Sequence, residues 1–242
     1  MPDGSMLHRV RRVWTGMAAA PVRFTDAAVT VVVSPASHLS PPGWVGIVTI
    51  GDAAIATAPD EHTAAAVRRA LGGLPVTAVT DPQVIGARLP LAGVLGPATL
   101  AYCDAECFRP VAGAAAADPA DLRPLLDRVP GDEAGEAGLD AITSPAFVVR
   151  DGPAVVAAAG YEVWPGGVAH LSVLTDPAHR GRGLARTVAA AAVTAALDAG
   201  LLPQWRARPE PSRRVARALG FQELGAQLSI DQSTATTSLP RR

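Results

Sequence analysis

Residues 168–199 read VAHLSVLT, DPAHRGRG, LARTVAAAAVTAALDA, and they constrain the fold more than any other part of the chain. The first block is rich in Val, Leu and Thr and predicts a strand. Asp176-Pro177 ends it, since a proline cannot continue a strand ladder. From about Gly183 the pattern turns helical and runs to Gly200, which supplies a stop. PQWRAR (203–208) predicts the next strand. A strand, a helix and a strand in that order demand a crossover, and a crossover joins parallel neighbours.

The loop inside this unit carries the chemistry. The first turn of a helix leaves backbone N–H groups without partners and carries partial positive charge. Gly181 and Gly183 let a bulky anion come close to the backbone, and Arg180 and Arg182 add charge beside it. Successive amides at a helix mouth suit a phosphate, and a pyrophosphate especially. The pattern is neither the P-loop nor the dinucleotide glycine fingerprint.

Around this unit, FVVRD (147–151) and AVVAAAGYEV (154–163) predict a hairpin turning at Gly152-Pro153. Downstream, SRRVARAL (212–219) predicts a helix stopped by Gly220, and FQELGAQLSI (221–230) a last strand. The N-terminal half predicts strands at 28–33, 44–50, 53–57, 76–79 and 97–102, with one helix over PDEHTAAAVRRAL capped by Asp60. The stretch 112–137 is rich in Ala, Asp, Gly and Pro and reads mainly as a connector, with room for a short helix around Leu122–Leu126. The expected organisation is therefore an N-terminal α/β lobe (1–111), a linker (112–137), a second domain (138–230) and a frayed tail (231–242).

Composition narrows the class. Hydrophobic residues at 49% and charged residues at 18% are those of a globular chain. A net charge of −1 provides no field to draw in nucleic acid or an anionic membrane. All 21 basic residues are arginine, so an arginine on its own says little here. Arg9, Arg11 and Arg12 read as a short solvated patch. Cys103 and Cys107 have neither a nearby His nor a third Cys to complete a metal shell, so they read as small core residues and no metal is expected. With neither a signal peptide nor a long apolar run, the expectation is a cytoplasmic protein with no membrane partner. Monomer and homodimer both stay open.

Arg180, Gly183 and Ala185 after VLTDP fill R-x-x-G-x-A, and SRRVARALGF (212–221) follows as a second helix closing in Leu-Gly-Phe. In these two segments the chain resembles the GNAT superfamily of N-acetyltransferases, over roughly residues 145–230. The resemblance implies an α/β (α+β) fold: a mixed, mostly antiparallel sheet with a splayed parallel strand pair and flanking helices. The N-terminal lobe would then be either a degenerate second copy of that fold or an unrelated acceptor-binding lobe.

It also implies acetyl-CoA as cosubstrate and a primary amine as acceptor. The cofactor-binding residues would be Val173, Leu174 and Thr175 on the splayed strand, Arg180, Gly181, Arg182, Gly183, Leu184, Ala185 and Arg186 around the loop, and Ser212 on the second helix. Arg213 and Arg214 would be candidates for the 3′-phosphate. Candidates to assist the amine are Glu162 and His170, with Tyr161 behind them; strand alternation puts His170 on the face opposite Leu171, Val173 and Thr175 unless a bulge intervenes. The chain departs from the family's pattern where Pro209 stands for a common Asn and Ala216 for the Tyr that can protonate the leaving thiolate. That departure keeps a second reading open, a CoA- or acyl-CoA-binding sensor without turnover. Trp164 and Trp205 read as packing residues.

Overall fold

The computed structural model describes residues 4–232, which divide into two compact units: residues 4–99 with 224–232, and residues 100–223.

The first unit opens with helix α1 (Gly4–Met17). Met6, Val10, Val13, Trp14 and Met17 recur at helical spacing and are all buried. Of the expected solvated patch, Arg12 is exposed but Arg11 is not free. Arg11 lies on this helix and donates to Asp26 (3.0 Å), Asp52 (2.7 Å) and the carbonyl of Ile50. Strands β1 (Val29–Val33), β2 (Val45–Ile50) and β3 (Ala53–Ala58) follow. β2 and β3 pair antiparallel, and β1 lies parallel to β3. Helix α2 (Glu61–Leu71) starts where Asp60 accepts from the Thr63 amide, and Val67 and Leu71 are buried beneath it.

Residues 76–79 are not the expected strand but a turn of 3-10 helix over Val76–Ala78. The run is confined between Pro75 and the Asp81-capped short helix α3 (Pro82–Gly86). It is too short to find a strand partner, and Val79 reaches the core without one. Strand β4 (Gly93–Tyr102) carries the chain into the second unit, and strand β10 (Gln222–Asp231) brings it back. β10 pairs antiparallel with β2.

In the second unit, the stretch expected as a connector contributes strand β5 (Ala115–Ala117) and helices α4 (Arg123–Leu126) and α5 (Gly131–Ala137). Leu122 and Leu125 are fully buried in a cluster with Val148, Ala158 and Leu174, which a bare linker would not be. Strands β6 (Ala146–Asp151) and β7 (Ala154–Trp164) form the expected hairpin, followed by β8 (Val168–Thr175), helix α6 (Leu184–Asp198), β9 (Leu202–Ala207) and helix α7 (Glu210–Ala218).

The sheet of this unit is mixed and mostly antiparallel: β5–β6, β6–β7 and β7–β8 run antiparallel, and β8–β9 parallel. α6 covers one face. Its Ala189, Ala192, Val193 and Ala196 pack on Ala157, Ala159, Ala169 and Leu171. Small side chains on both sides allow close approach, and inserting larger ones into such a contact costs about 1–3 kcal/mol.

Asp231, expected in the tail, is the last residue of β10 and its carbonyl accepts from Ala92; residues 233–242 lie outside the described residues. No helix among the described residues is long and apolar enough to cross a membrane.

Candidate functional site

The parallel pairing of β8 and β9 is short. Its register runs Val168–Leu202, Ala169–Pro203 and His170–Gln204 and ends there, although β8 continues to Thr175 and β9 to Ala207. On its other edge, β8 stays paired with β7 through to Thr175. The two parallel strands therefore form a fork with His170 and Gln204 at its vertex. Along Leu171–Thr175, backbone groups that turn away from β7 face the opening rather than a neighbouring strand, so Val173, Leu174 and Thr175 line one prong. The hydroxyl of Thr175 is buried with no hydrogen-bond partner.

The glycine-arginine loop follows that prong. Asp176 anchors it: its carboxylate accepts from the Ala178 amide (3.0 Å) and from Arg128 Nε (2.8 Å). Arg128, together with these amide bonds, holds the Asp176 carboxyl below the usual carboxylate range. His179 lies between Asp176 and Asp151, 3.3 Å from the latter. Gly181 and Gly183 have φ of +79° and +80°, which non-glycine residues adopt only with strain.

Gly183 is the N-cap of α6 and no side chain caps the helix there. The helix's first bond runs from Thr187 to the Gly183 carbonyl, so the amides of Leu184, Ala185 and Arg186 have no partner within the helix. A Cβ placed on Gly181 or Gly183 would meet nothing within 4 Å, so the approach is open. Arg180 is committed elsewhere, pairing with Glu133 of α5 and donating to the Thr175 carbonyl. Arg182 is exposed, and Arg186 Nε is buried without a partner.

The face of the sheet opposite α6 carries the titratable groups. β7 and β8 pair without a bulge, which keeps the expected alternation and sets Glu162 directly across from His170. Glu162 accepts from Trp164 Nε1 (2.8 Å), and the Trp164 ring stacks on His170 at 4.0 Å and 17°. Arg206 on β9 lies 5.5 Å from the Trp164 ring centre. His170 Nδ1 is 3.0 Å from Gln204 Oε1, and Gln204 Nε2 donates to the Tyr102 hydroxyl at 2.7 Å. Burial, reinforced by the Arg206 cation, pushes the His170 pKa down to about 4. His170 is therefore neutral at pH 7. Tyr161 points the other way, into the core under α6, where burial raises its pKa.

Tyr102, Gln204 and Arg206 are functional candidates that sequence reasoning missed. The available signal was Gln204, an uncharged polar residue inside an apolar strand with the same parity as Arg206.

A family model described as GNAT acetyltransferase matches residues 145–226, which contain the fork, the loop and both helices that flank them. Residues 145–226 are a GNAT acetyltransferase domain. The chain is similar in structure to a GNAT-family acetyltransferase from Colwellia psychrerythraea (12% identity over 73% of this chain and 75% of that one, TM-score 0.49). It is also similar to a GCN5-related N-acetyltransferase from Kribbella flavida (18% identity, 64% of each chain, TM-score 0.47). A third similar structure, from Salmonella typhimurium, holds its cofactor acetyl-CoA (18% identity, 54% of this chain and 98% of that one, TM-score 0.37). No curated protein matches the chain.

The second helix of the GNAT domain, α7, starts at Pro209 with no side-chain cap. Ser212 accepts a hydrogen bond from Trp205 Nε1 (3.0 Å), and Trp205 packs edge-on against Phe221, as expected of a packing residue. Arg213 is engaged by Glu223 and Glu210, and Arg214 is exposed. Ala216 is buried in the core with Leu219 and Phe221, so no hydroxyl occupies the place where the resemblance puts a tyrosine. Cys103 and Cys107 are free thiols; burial pushes the Cys103 pKa up to about 12.

Proposed function

We propose that this protein transfers an acetyl group from acetyl-CoA to a primary amine of a small molecule or protein, by direct attack in a ternary complex. The observation that carries the reading is the fork between β8 and β9 opening beside the uncapped N-terminus of α6, inside the segment that matches the GNAT family. Amides of Gly181 to Ala185 would hold the pyrophosphate, with Arg182 and Arg186 as nearby charges. The buried, unpartnered Thr175 hydroxyl and Arg186 Nε fit a polar ligand there. Backbone amides of Val173 to Thr175 would bind the pantetheine arm and polarise the thioester carbonyl. A donor aimed at such an oxyanion is worth about 3–4 kcal/mol.

In the reaction the amine nitrogen forms a bond to the carbonyl carbon, the C–S bond breaks, CoA leaves as a thiolate, and the nitrogen gives up one proton to water. The amine must attack as the free base. His170 and Glu162 are the side chains this reading places on the acceptor side. A His170 pKa of about 4 makes it a weak base, better suited to accepting a hydrogen bond from the amine than to removing a proton. Ala216 favours a second reading, a CoA-binding module without turnover, because it leaves the thiolate without the family's usual proton donor.

Calorimetry with acetyl-CoA, followed by thiol release with a panel of amines, tests both. Binding with release supports transfer. Binding without release for every amine supports the module, and absence of binding overturns both.

A further inference from the structure

The vertex of the fork holds a polar chain, Tyr102–Gln204–His170, whose direction is set by the orientation of the Gln204 amide. Gln204 and Tyr102 are both fully buried, and Gln204 Nε2 donates to the Tyr102 hydroxyl at 2.7 Å. An amide nitrogen carries hydrogens only, and an amide oxygen lone pairs only. With Nε2 committed to Tyr102, Gln204 turns Oε1 toward His170 Nδ1, 3.0 Å away. That short contact needs a hydrogen on Nδ1. A neutral imidazole has one N–H, so Nε2 keeps its lone pair.

We propose that Gln204, held in place by Tyr102, is a positioning residue that locks His170 in the Nδ1–H tautomer and presents Nε2 as a hydrogen-bond acceptor for the attacking amine at the vertex of the fork. The proposal rests on the acetyl-transfer reading above for the identity of that amine. The ring is also held by Trp164, stacked on it at 4.0 Å. The charged groups around it are Glu162 on β7, whose carboxylate is taken by the Trp164 indole, and Arg206 on β9. Burial and Arg206 keep the ring neutral, so the lone pair is available wherever an amine can be deprotonated. A hydrogen bond from the amine N–H to Nε2 would turn the nitrogen lone pair toward the thioester.

Histidine side-chain 15N–1H correlation spectra of the full chain test this, the His170 signals being those lost in His170→Gln. The expected result at pH 7 is a neutral ring protonated at Nδ1. Gln204→Met, which keeps the volume and removes the acceptor, should populate the Nε2–H tautomer and lower kcat roughly ten-fold, less than the range of about 10²–10⁴ for acid–base catalysis because His170 orients the amine without taking its proton. The KM for acetyl-CoA should stay within about two-fold, since Gln204 does not face the pyrophosphate loop. Tyr102→Phe, the milder change, frees the amide to turn over and should mix the tautomers. A wild-type ring protonated at Nε2, or a tautomer unchanged in both variants, overturns the proposal. Loss of the acetyl-transfer reading would show instead as absent acetyl-CoA binding in calorimetry, with the tautomer spectra unaffected.

Discussion

His170 and Gln204 form the last registered pair between β8 and β9, and their side chains meet at 3.0 Å where the strands begin to part. The point where main-chain pairing stops is thus pinned by a side-chain bond. The ring stays neutral because burial and the Arg206 cation outweigh the Gln204 bond, which acts the other way.

The half-buried, neutral His170 makes stability pH-dependent. Its folded pKa of about 4 lies below the unfolded value of 6.5, so the unfolded chain binds the extra proton. This stability is fully present above about pH 6.5 and is lost as pH falls from there toward 4. The loss should reach at most about 3 kcal/mol, less by whatever solvent reaches the ring. Urea midpoints at pH 7 and pH 5 should differ less in His170→Gln than in the wild type. An equal difference in the two would refute the burial argument.

Gly183→Glu should abolish CoA binding, because it sets a carboxylate at the uncapped mouth of α6. Gly183→Ala separates blockage from strain. A Cβ there meets nothing within 4 Å, but φ is +80°, so the change should cost about 1 kcal/mol in stability while binding persists within several-fold. Unchanged CoA affinity in Gly183→Glu, read by calorimetry, would remove the loop from the binding site.

Glu133→Gln should release Arg180 from its pair with α5 and let it turn toward an anion at the loop. The pair is part-exposed and such pairs are worth about 0–1 kcal/mol, so CoA affinity should rise only a few-fold, and less at high salt. Titration at two ionic strengths measures it. An affinity that falls would mean that the pair organises the loop rather than competing for it.

Gly220→Ala should be the most damaging of these changes. Gly220 has φ of +95°, and a Cβ there would come within 1.9 Å of the Cys107 carbonyl oxygen. Backbone on both sides must move, at a cost of about 2–4 kcal/mol. Chemical denaturation measures this directly, and a loss under about 1 kcal/mol would mean that the Cys107 turn gives way easily.

The second unit was legible where signals are local. The hairpin, β8, both helices and their glycine stops follow from residue patterns over ten or so neighbours, and the loop's character follows from two glycines at a helix start. In α1, Met6, Val10, Val13, Trp14 and Met17 trace one helical face, a pattern interrupted in sequence by the arginines between them. Residues 76–79 misled because Val and Thr favour strands only when a partner strand is within reach. In 112–137 a short helix around Leu122–Leu126 was legible, but the burial of Leu122 and Leu125 was not, because it depends on β6 and β7 lying over them.

By itself, then, the sequence determined the order of elements from β6 to β10, the strand–loop–helix unit and the positive φ its glycines accept, because those depend on short-range sterics and unpaired helix amides. The tertiary structure decided where the parallel pairing stops, that Arg180 answers to Glu133, and that Gln204 and Tyr102 orient His170. Those partners stand 34 to 102 residues apart in the chain, and only the packed sheet brings them within hydrogen-bond reach.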